Sequence, residues 1–371
     1  MSMSRVIIRE ATYDYETLRP LVYESLDTFC GNLITPSSRV IIKPNLLQAA
    51  TPESAILTHP LIVRAAAQYV IEKGTRPQIS DSQAIGSFDT ILTKSGIRAA
   101  LDGLDVEFRE FRGSVRTNVG APFGEIDIAE DAVEADILIN LAKLKTHGQM
   151  LLTCGVKNLF GCVVGLRKPE WHMRAGVDRN LFARLLVSIY HTLGPAVTIV
   201  DGILALEGDG PGKGGTPREV GHLLAGRDAV AIDRVICTML GINPKDLPTD
   251  RVSVEMGIGG EPIDIDGTVP RIEGFQLPEN TPLTYGPRRL QHFARMYLLQ
   301  RPVVDETQCK MCGACWEFCP VNAIHGTDTT IRFDYEKCIR CYCCMEICPH
   351  GALHSKTTLP GRLLGKILHN K

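Results

Sequence analysis

The sequence predicts an α/β domain, a largely parallel sheet with helices on both faces, followed by a small α+β domain built on cysteines. Three observations predict it. Through residues 1–285 short apolar runs alternate with helix-period patterns, the arrangement of a parallel sheet with crossover helices. Asp136-Ile-Leu-Ile-Asn140 and Ala196-Val-Thr-Ile-Val200 read as buried strands. Two cysteine runs, at 309–320 and 338–349, align with each other at four cysteines and at a closing proline, which makes them an internal repeat.

The elements follow in order. A short strand at 6–8 precedes an amphipathic helix over 15–29. A strand over 39–43 ends at Pro44, which cannot continue a central ladder. A helix over 60–73 stops at Gly74, the residue type that best takes the left-handed conformation after a helix. Short strands are expected at 77–80, 106–108, 115–119 and 125–128, then the strand over 136–140. A helix over 178–191 leads to the strand over 196–200, a strand over 219–224 and a helix over 228–240. Residues 241–285 are richer in Pro and Gly; a helix near 250–256 and one or two short strands are expected there. Residues 286–303 form a connecting helix and linker, centred on a helix over 287–300. Residues 304–352 hold the cysteine domain. Residues 353–371 form a basic tail, in which 359–371 reads as an amphipathic helix for a membrane or partner surface, or as a terminal helix packed on its own protein.

The chain has 371 residues, 44% of them hydrophobic, and a mean hydropathy near zero. That composition fits a globular protein with a sizeable core. A net charge of −2 implies no polyanion partner, so no nucleic acid. No run of 18 apolar residues and no leader-type apolar segment is present, so neither a transmembrane helix nor a signal peptide is expected. Of 13 cysteines, Cys30, Cys154, Cys162, Cys237 and Cys343 lie outside the repeated pattern and read as buried small residues. A reducing, cytoplasmic location follows. Oligomeric state has no signal.

Each cysteine run reads C-x2-C-x2-C-x3-C-P, which over these residues resembles the bacterial two-cluster ferredoxins and predicts an α+β two-cluster ferredoxin-like domain. Three thiolates two residues apart wrap three iron corners, and the fourth lies too far along and serves the other cluster. One [4Fe–4S] cluster therefore takes Cys309, Cys312, Cys315 and Cys348, and a second takes Cys338, Cys341, Cys344 and Cys319. Zinc or disulfides explain the doubled eight-cysteine pattern poorly. Cys343 is an extra thiol aligned with Ala314.

Open α/β sheets bind ligands outside the carboxyl ends of their strands. Four strand ends deliver polar groups there: Lys43 and Asn45, Asp81 and Ser82, the run Lys143, Lys145 and His147, and Asp201. In an extended chain Lys143, Lys145 and His147 share one face. From 137 to 177 the only acid is Glu170, against Lys143, Lys145, His147, Lys157, Arg167, Lys168, His172 and Arg174. That imbalance points to a carboxylate or phosphate ligand, or else to a solvated basic face. Gly155 either lets the backbone approach a ligand, with Lys157 and Asn158 as further donors, or gives a helix room for close packing. Crowding by cations lowers a lysine pKa, so Lys145 or His147 is the expected proton donor, with Asp81 and Asp201 orienting the cations or binding a metal. The glycine-rich stretch 203–215, with Glu207 and Asp209, reads as a lid or a surface loop. It lacks the P-loop pattern, and no dinucleotide fingerprint follows the first strand.

Lys43-Pro-Asn45, Thr58-His59-Pro60, Ser80-Asp81-Ser82, Lys143-Leu-Lys145-Thr-His147, Gly155-Val-Lys157-Asn158-Leu-Phe-Gly161, Asp201-Gly202, Glu207-Gly-Asp209-Gly-Pro211 and Asp228-Ala-Val-Ala-Ile-Asp233 together resemble the domain-of-unknown-function 362 family of iron–sulfur proteins. The resemblance covers about residues 5–275 plus the cysteine segment. It implies an iron–sulfur protein with these motifs in one site, and no reaction. The leading expectation is a reductase in which two [4Fe–4S] clusters pass electrons to a small anionic substrate. Alternatives are an electron-transfer protein that docks on a partner donor or acceptor, and a cluster or metallocofactor maturation factor.

Overall fold

A computed structural model describes residues 3–165, 167–175, 178–278 and 297–361. Its centre is a nine-stranded sheet. The strands of the first domain are β1 (Ser4–Glu10), β2 (Val40–Pro44), β3 (Gln78–Ile79), β4 (Glu107–Phe108), β5 (Ser114–Asn118), β6 (Glu125–Ala129), β7 (Ile137–His147), β8 (Leu151–Thr153), β9 (Val197–Gly208), β10 (Gly215–Gly226) and β11 (Ile263–Asp266). The order across the sheet is β11-β1-β10-β9-β7-β2-β3-β4, with β8 folded back on β7. β9, β7, β2, β3 and β4 run parallel to one another, and β1 and β11 are parallel too; β10 and β8 run against their neighbours. The sheet is thus mixed and mostly parallel, as the alternating pattern requires. β5 and β6 pair as a separate hairpin.

The two-residue period divides the core. Ile7, Ile42, Ile79, Ile139 and Ile199 meet the helices Tyr15–Cys30 and Pro60–Glu72 on one face. Val6, Ile8, Ile41, Leu138 and Val200 face the helices Arg179–Leu193 and Ala229–Met239 on the other. Local chemistry sets the helix ends. Asp14, Asp178 and Asp228 each accept a backbone N–H at an N-terminus. Pro60 occupies the first turn of its helix, where no N–H is needed.

The cysteine segment is a small α+β unit. Antiparallel pairs join Arg301–Val304 to Leu353–Lys356 and Ile324–Gly326 to Ile331–Phe333, with short helices at Ala314–Glu317 and Cys343–Ile347. Its internal repeat is visible in the backbone. Asp305 N donates to Ala352 O and Asp334 N to Ala323 O, both at 2.8 Å, so each half closes on the end of the other.

The stretch 203–215 is not a lid. β9 runs on to Gly208 and β10 begins at Gly215, leaving a tight turn whose Gly210, Pro211 and Gly212 are buried under the cysteine segment. The expected connecting helix over 287–300 and tail helix over 359–371 lie largely outside the described residues. Among the described residues no helix is long and apolar enough to cross a membrane.

Candidate active site and metal centres

The carboxyl edge carries the polar strand ends, and pairing divides them into two groups. Lys43 Nζ lies 2.8 Å from Asp81 Oδ1, both side chains buried. Lys143 sits opposite Asp201 in the β7–β9 register and its Nζ is 2.8 Å from Asp201 Oδ2. Tyr13 OH donates to Asp201 Oδ1 at 2.7 Å and accepts from Lys143 at 2.9 Å, and its ring stacks on His59. Asp201 also accepts from His59 N. Burial lowers the Lys143 pKa against the pull of Asp201. This second group is a closed brace around Asp201.

Lys145 stands between the groups and forms no ion pair among the described residues. Its Nζ donates to Asn45 Oδ1 and to Ile56 O, each at 2.8 Å. Burial, and then the charge of Lys157, bring its pKa down to about 7. Asn45 in turn donates to Asn158 Oδ1, and Asn158 to Asn140 Oδ1.

His147 crosses to the cysteine segment. Its Nδ1 accepts from Gln149 N and Met150 N, so its proton sits on Nε2, 2.7 Å from Glu346 Oε1. Burial and the Lys157 charge lower His147 to about 4. Burial alone would raise the Glu346 carboxyl, but His147, Lys157 and His172 hold it well below the usual carboxylate range. Gln48 Nε2 donates to Glu346 O, and Ser355 Oγ meets Asp209 Oδ1. The strand ends and the cysteine segment therefore share a polar seam.

A cavity of about 440 Å³ opens along that seam. Lys43, Asn45, Asp81, Ser82, Lys157 and Asn158 contribute polar walls, joined by Lys168 and His172. Leu46, Leu47, Phe111, Phe160 and Val164 contribute apolar ones. Phe318, Cys343, Glu346 and Ile347 of the cysteine segment close it. Among the described residues Lys157 has no hydrogen-bond or ion-pair partner; its Nζ lies 6.0 Å from the Phe160 ring centroid. Burial lowers its pKa. Lys168 donates to Ser82 O, and burial brings it to about 8. His172, wedged against Phe160 and Phe182, is held neutral by burial, at about 3. Gly161 leaves the Lys43–Asp81 pair its room, since a Cβ there would stand 2.5 Å from Lys43 Nζ.

Of the expected site residues, Lys43, Asn45, Asp81, Ser82, Lys157 and Asn158 meet in this cavity. Lys143, Lys145, His147 and Asp201 do not line it. Lys168, His172, Phe318 and Glu346 line it without having been expected there. Lys168 and His172 stood out only as members of a basic span, and nothing marked the helix between Cys344 and Cys348 as a cavity wall.

The cysteines gather around two further hollows. Cys309, Cys312, Cys315 and Cys348 line one, and Cys319, Cys338, Cys341 and Cys344 the other. Burial pushes the Cys315 thiol up to about 12, with Cys348, Cys309 and Cys312 adding to the effect. Cys344 is raised by burial and by Cys341, Cys338, Cys315 and Cys319. Four thiols so placed oppose one another's ionisation, and a cationic iron core relieves that opposition. Among the described residues no three metal-ligating side chains converge as they would on a single ion. A cubane needs the opposite, four sulfurs spread around a hollow with one for each iron. Backbone donors suit it as well: Ala323 N points to Cys319 Sγ at 3.2 Å and Ala352 N to Cys348 Sγ at 3.3 Å. The residues fit [4Fe–4S] groups.

Comparison with known proteins agrees with this chemistry. The family model described as "4Fe-4S dicluster domain" matches residues 301–349. A 62-residue stretch, 16% of this chain and 57% of its counterpart, is 37% identical to the ketoisovalerate oxidoreductase subunit VorD of Pyrococcus abyssi. A thylakoid-associated protein of Synechocystis sp. is 37% identical over 308 residues, 80% of this chain and 96% of that protein. Among solved structures, the lactate racemase apoprotein of Thermoanaerobacterium thermosaccharolyticum superposes with a TM-score of 0.42 at 11% identity, over 62% of this chain and 55% of that one, too loose a likeness to carry function. The C-terminal segment is thus a ferredoxin-type domain of iron–sulfur electron transfer. The model "Domain of unknown function (DUF362)" matches residues 40–238, more than half of the 371, and with the long Synechocystis match this shows that the chain belongs to the DUF362 family.

Proposed function

We propose that the protein is a reductase that delivers electrons from two [4Fe–4S] clusters to a small organic anion held in the seam cavity. One observation carries the reading. The cavity is walled jointly by Lys43 at a strand end, by Lys157 and Lys168, and by Phe318, Cys343 and Ile347, the chain neighbours of Cys319, Cys344 and Cys348. Cys309, Cys312, Cys315 and Cys348 would hold one cluster, and Cys338, Cys341, Cys344 and Cys319 the other. Bound there, the clusters would supply electrons one at a time.

The chain's own residues do the rest. Lys157, with no hydrogen-bond or ion-pair partner among the described residues, attracts the anion, and Lys168 and the Lys43–Asp81 pair fix its place. Lys168, at about 8, can give up a proton near neutral pH and regain it from solvent. Lys145, expected as the proton donor, would act on the cavity only through Asn45, as a positioning residue. His147 would hold Glu346 and so the docked cluster segment. The apolar walls limit water around the reacting atoms.

The test is anion binding to the cluster-loaded protein. Calorimetry with short carboxylates and phosphate esters should find a class that binds wild type. Lys157→Met should weaken that binding by about tenfold, the cost of one charged hydrogen bond, with the cluster absorbance unchanged. Binding indifferent to Lys157→Met would remove the anion from this cavity.

A further inference from the structure

We infer that the anion taken by the seam cavity is a flat, conjugated carboxylic acid, reduced across the double bond next to its carboxylate. This rests on the reading above and names its substrate class.

The first argument is the wall chemistry. Within the cavity Lys157 Nζ stands 6.0 Å from the centroid of the Phe160 ring, and that ring meets His172 edge-on at 5.7 Å between centroids. A cation beside aromatic faces suits a ligand with a charged end and a flat apolar body. Phe111, Phe318, Leu46 and Leu47 extend the apolar lining, and about 440 Å³ is room for such a molecule. Besides Glu346 Oε1, which faces His147 Nε2, two lining side chains carry a buried polar atom without a hydrogen-bond partner among the described residues, Gln83 Oε1 and His172 Nδ1. Unpaired polar atoms at a cavity wall mark places where a ligand or water completes the bonding.

The second argument is the mode of delivery. Iron–sulfur clusters pass single electrons, so the acceptor must hold one electron until the second arrives. An isolated carboxylate cannot do that. A double bond conjugated with the carboxylate can, because the added charge spreads onto the oxygens. Those oxygens are what Lys157 would hold, so its attraction grows as the charge develops, which is how a fixed cation accelerates a reaction.

The step balances. The carbon–carbon π bond breaks and two C–H bonds form. Two electrons come, through the clusters, from a low-potential one-electron carrier, which is oxidised twice. Two protons come from the cavity side, one from the Lys168 ammonium, and solvent restores them. The product is the saturated acid.

trans-Cinnamate and its saturated counterpart 3-phenylpropanoate are suitable probes. Calorimetry on the oxidised, cluster-loaded protein should show both acids binding, each weakened about tenfold by Lys157→Met and restored by Lys157→Arg. Protein reduced anaerobically and freed of excess reductant should then be reoxidised by cinnamate, with one 3-phenylpropanoate formed for every two electrons lost. If both acids bind but cinnamate leaves the clusters reduced, the conjugated-acid inference is overturned while the anion site stands. If neither acid binds while another carboxylate or a phosphate ester still binds in a Lys157-dependent way, the inference falls and the anion reading stands; if no carboxylate or phosphate ester binds, both fall together.

Discussion

Asp233 is buried with no cation beside it among the described residues, and it shapes the cavity from below. Its Oδ1 accepts from Gly155 N and its Oδ2 from Val156 N, which fixes the first turn of the short helix that carries Lys157 and Asn158. Burial pushes its pKa up to about 7, although those two N–H groups oppose the rise. The folded protein therefore holds this proton more tightly than the unfolded chain does. Stability from the protonated form is complete below about pH 4 and is lost as pH rises through about 7. Unfolding free energies from urea titrations across that window should fall with rising pH by up to about 4 kcal/mol from this group. Asp233→Asn should flatten the fall, and an unchanged slope would show that the carboxyl is ionised throughout. Gly161 poses a steric version of the same constraint. Gly161→Ala would overlap Asp81 and force the Lys43–Asp81 pair apart. A loss of about 1–3 kcal/mol and of anion binding is expected, read by denaturation and by calorimetry.

At the scale of elements, the turn 209–214 tests how the two halves are joined. A Cβ on Gly212 would stand 2.7 Å from Glu346 O, and one on Gly210 would stand 2.5 Å from Thr146 O. Gly212→Ala should loosen the cysteine segment without unfolding the sheet. Limited proteolysis would then cut near residue 300 faster in the variant, with far-ultraviolet dichroism unchanged; equal cutting would mean that the turn is not a clamp. The same turn shows what the sequence could and could not say. Its glycines were legible as backbone freedom, but a mobile loop and a loop pressed under another unit need the same residues. The strands with clear period-2 patterns, the capped helices and the cysteine runs were legible because each depends on neighbours in the chain. The cavity was legible only in part. Lys43, Asp81, Lys157 and Asn158 follow from strand ends and motifs. Lys145 and His147 share a face with Lys143 but turn out to be satisfied by Asn45, Ile56 and Glu346, partners 89 to 199 positions away. Lys168, His172 and Phe318 reach the cavity through packing, which no local pattern encodes.

At the scale of the whole molecule, the proposed reductase requires a direction of electron flow. Cys312 is exposed, and Cys309 and Cys315 are partly so, whereas Cys341 and Cys344 are buried and Cys343 faces the cavity. Tunnelling favours short gaps, so a partner protein would reach the hollow at Cys312, and a bound acid would be reached from the side of Cys344 and Phe318. A one-electron donor should therefore load the solvent-side cluster first. Chemical analysis should find about eight iron and eight sulfide per chain; half that content would mean a single cluster and end the relay. Cys312→Ser should slow reduction by a protein donor while dithionite still reduces the second cluster. Cys344→Ser should do the reverse: the donor would reduce the solvent-side cluster at the normal rate, and reoxidation by a bound acid would be lost. Paramagnetic resonance of the two clusters separates these cases. Undiminished reoxidation in Cys344→Ser would mean that electrons leave from the solvent side, which would make the protein a carrier between partners, with the cavity regulating traffic along that route.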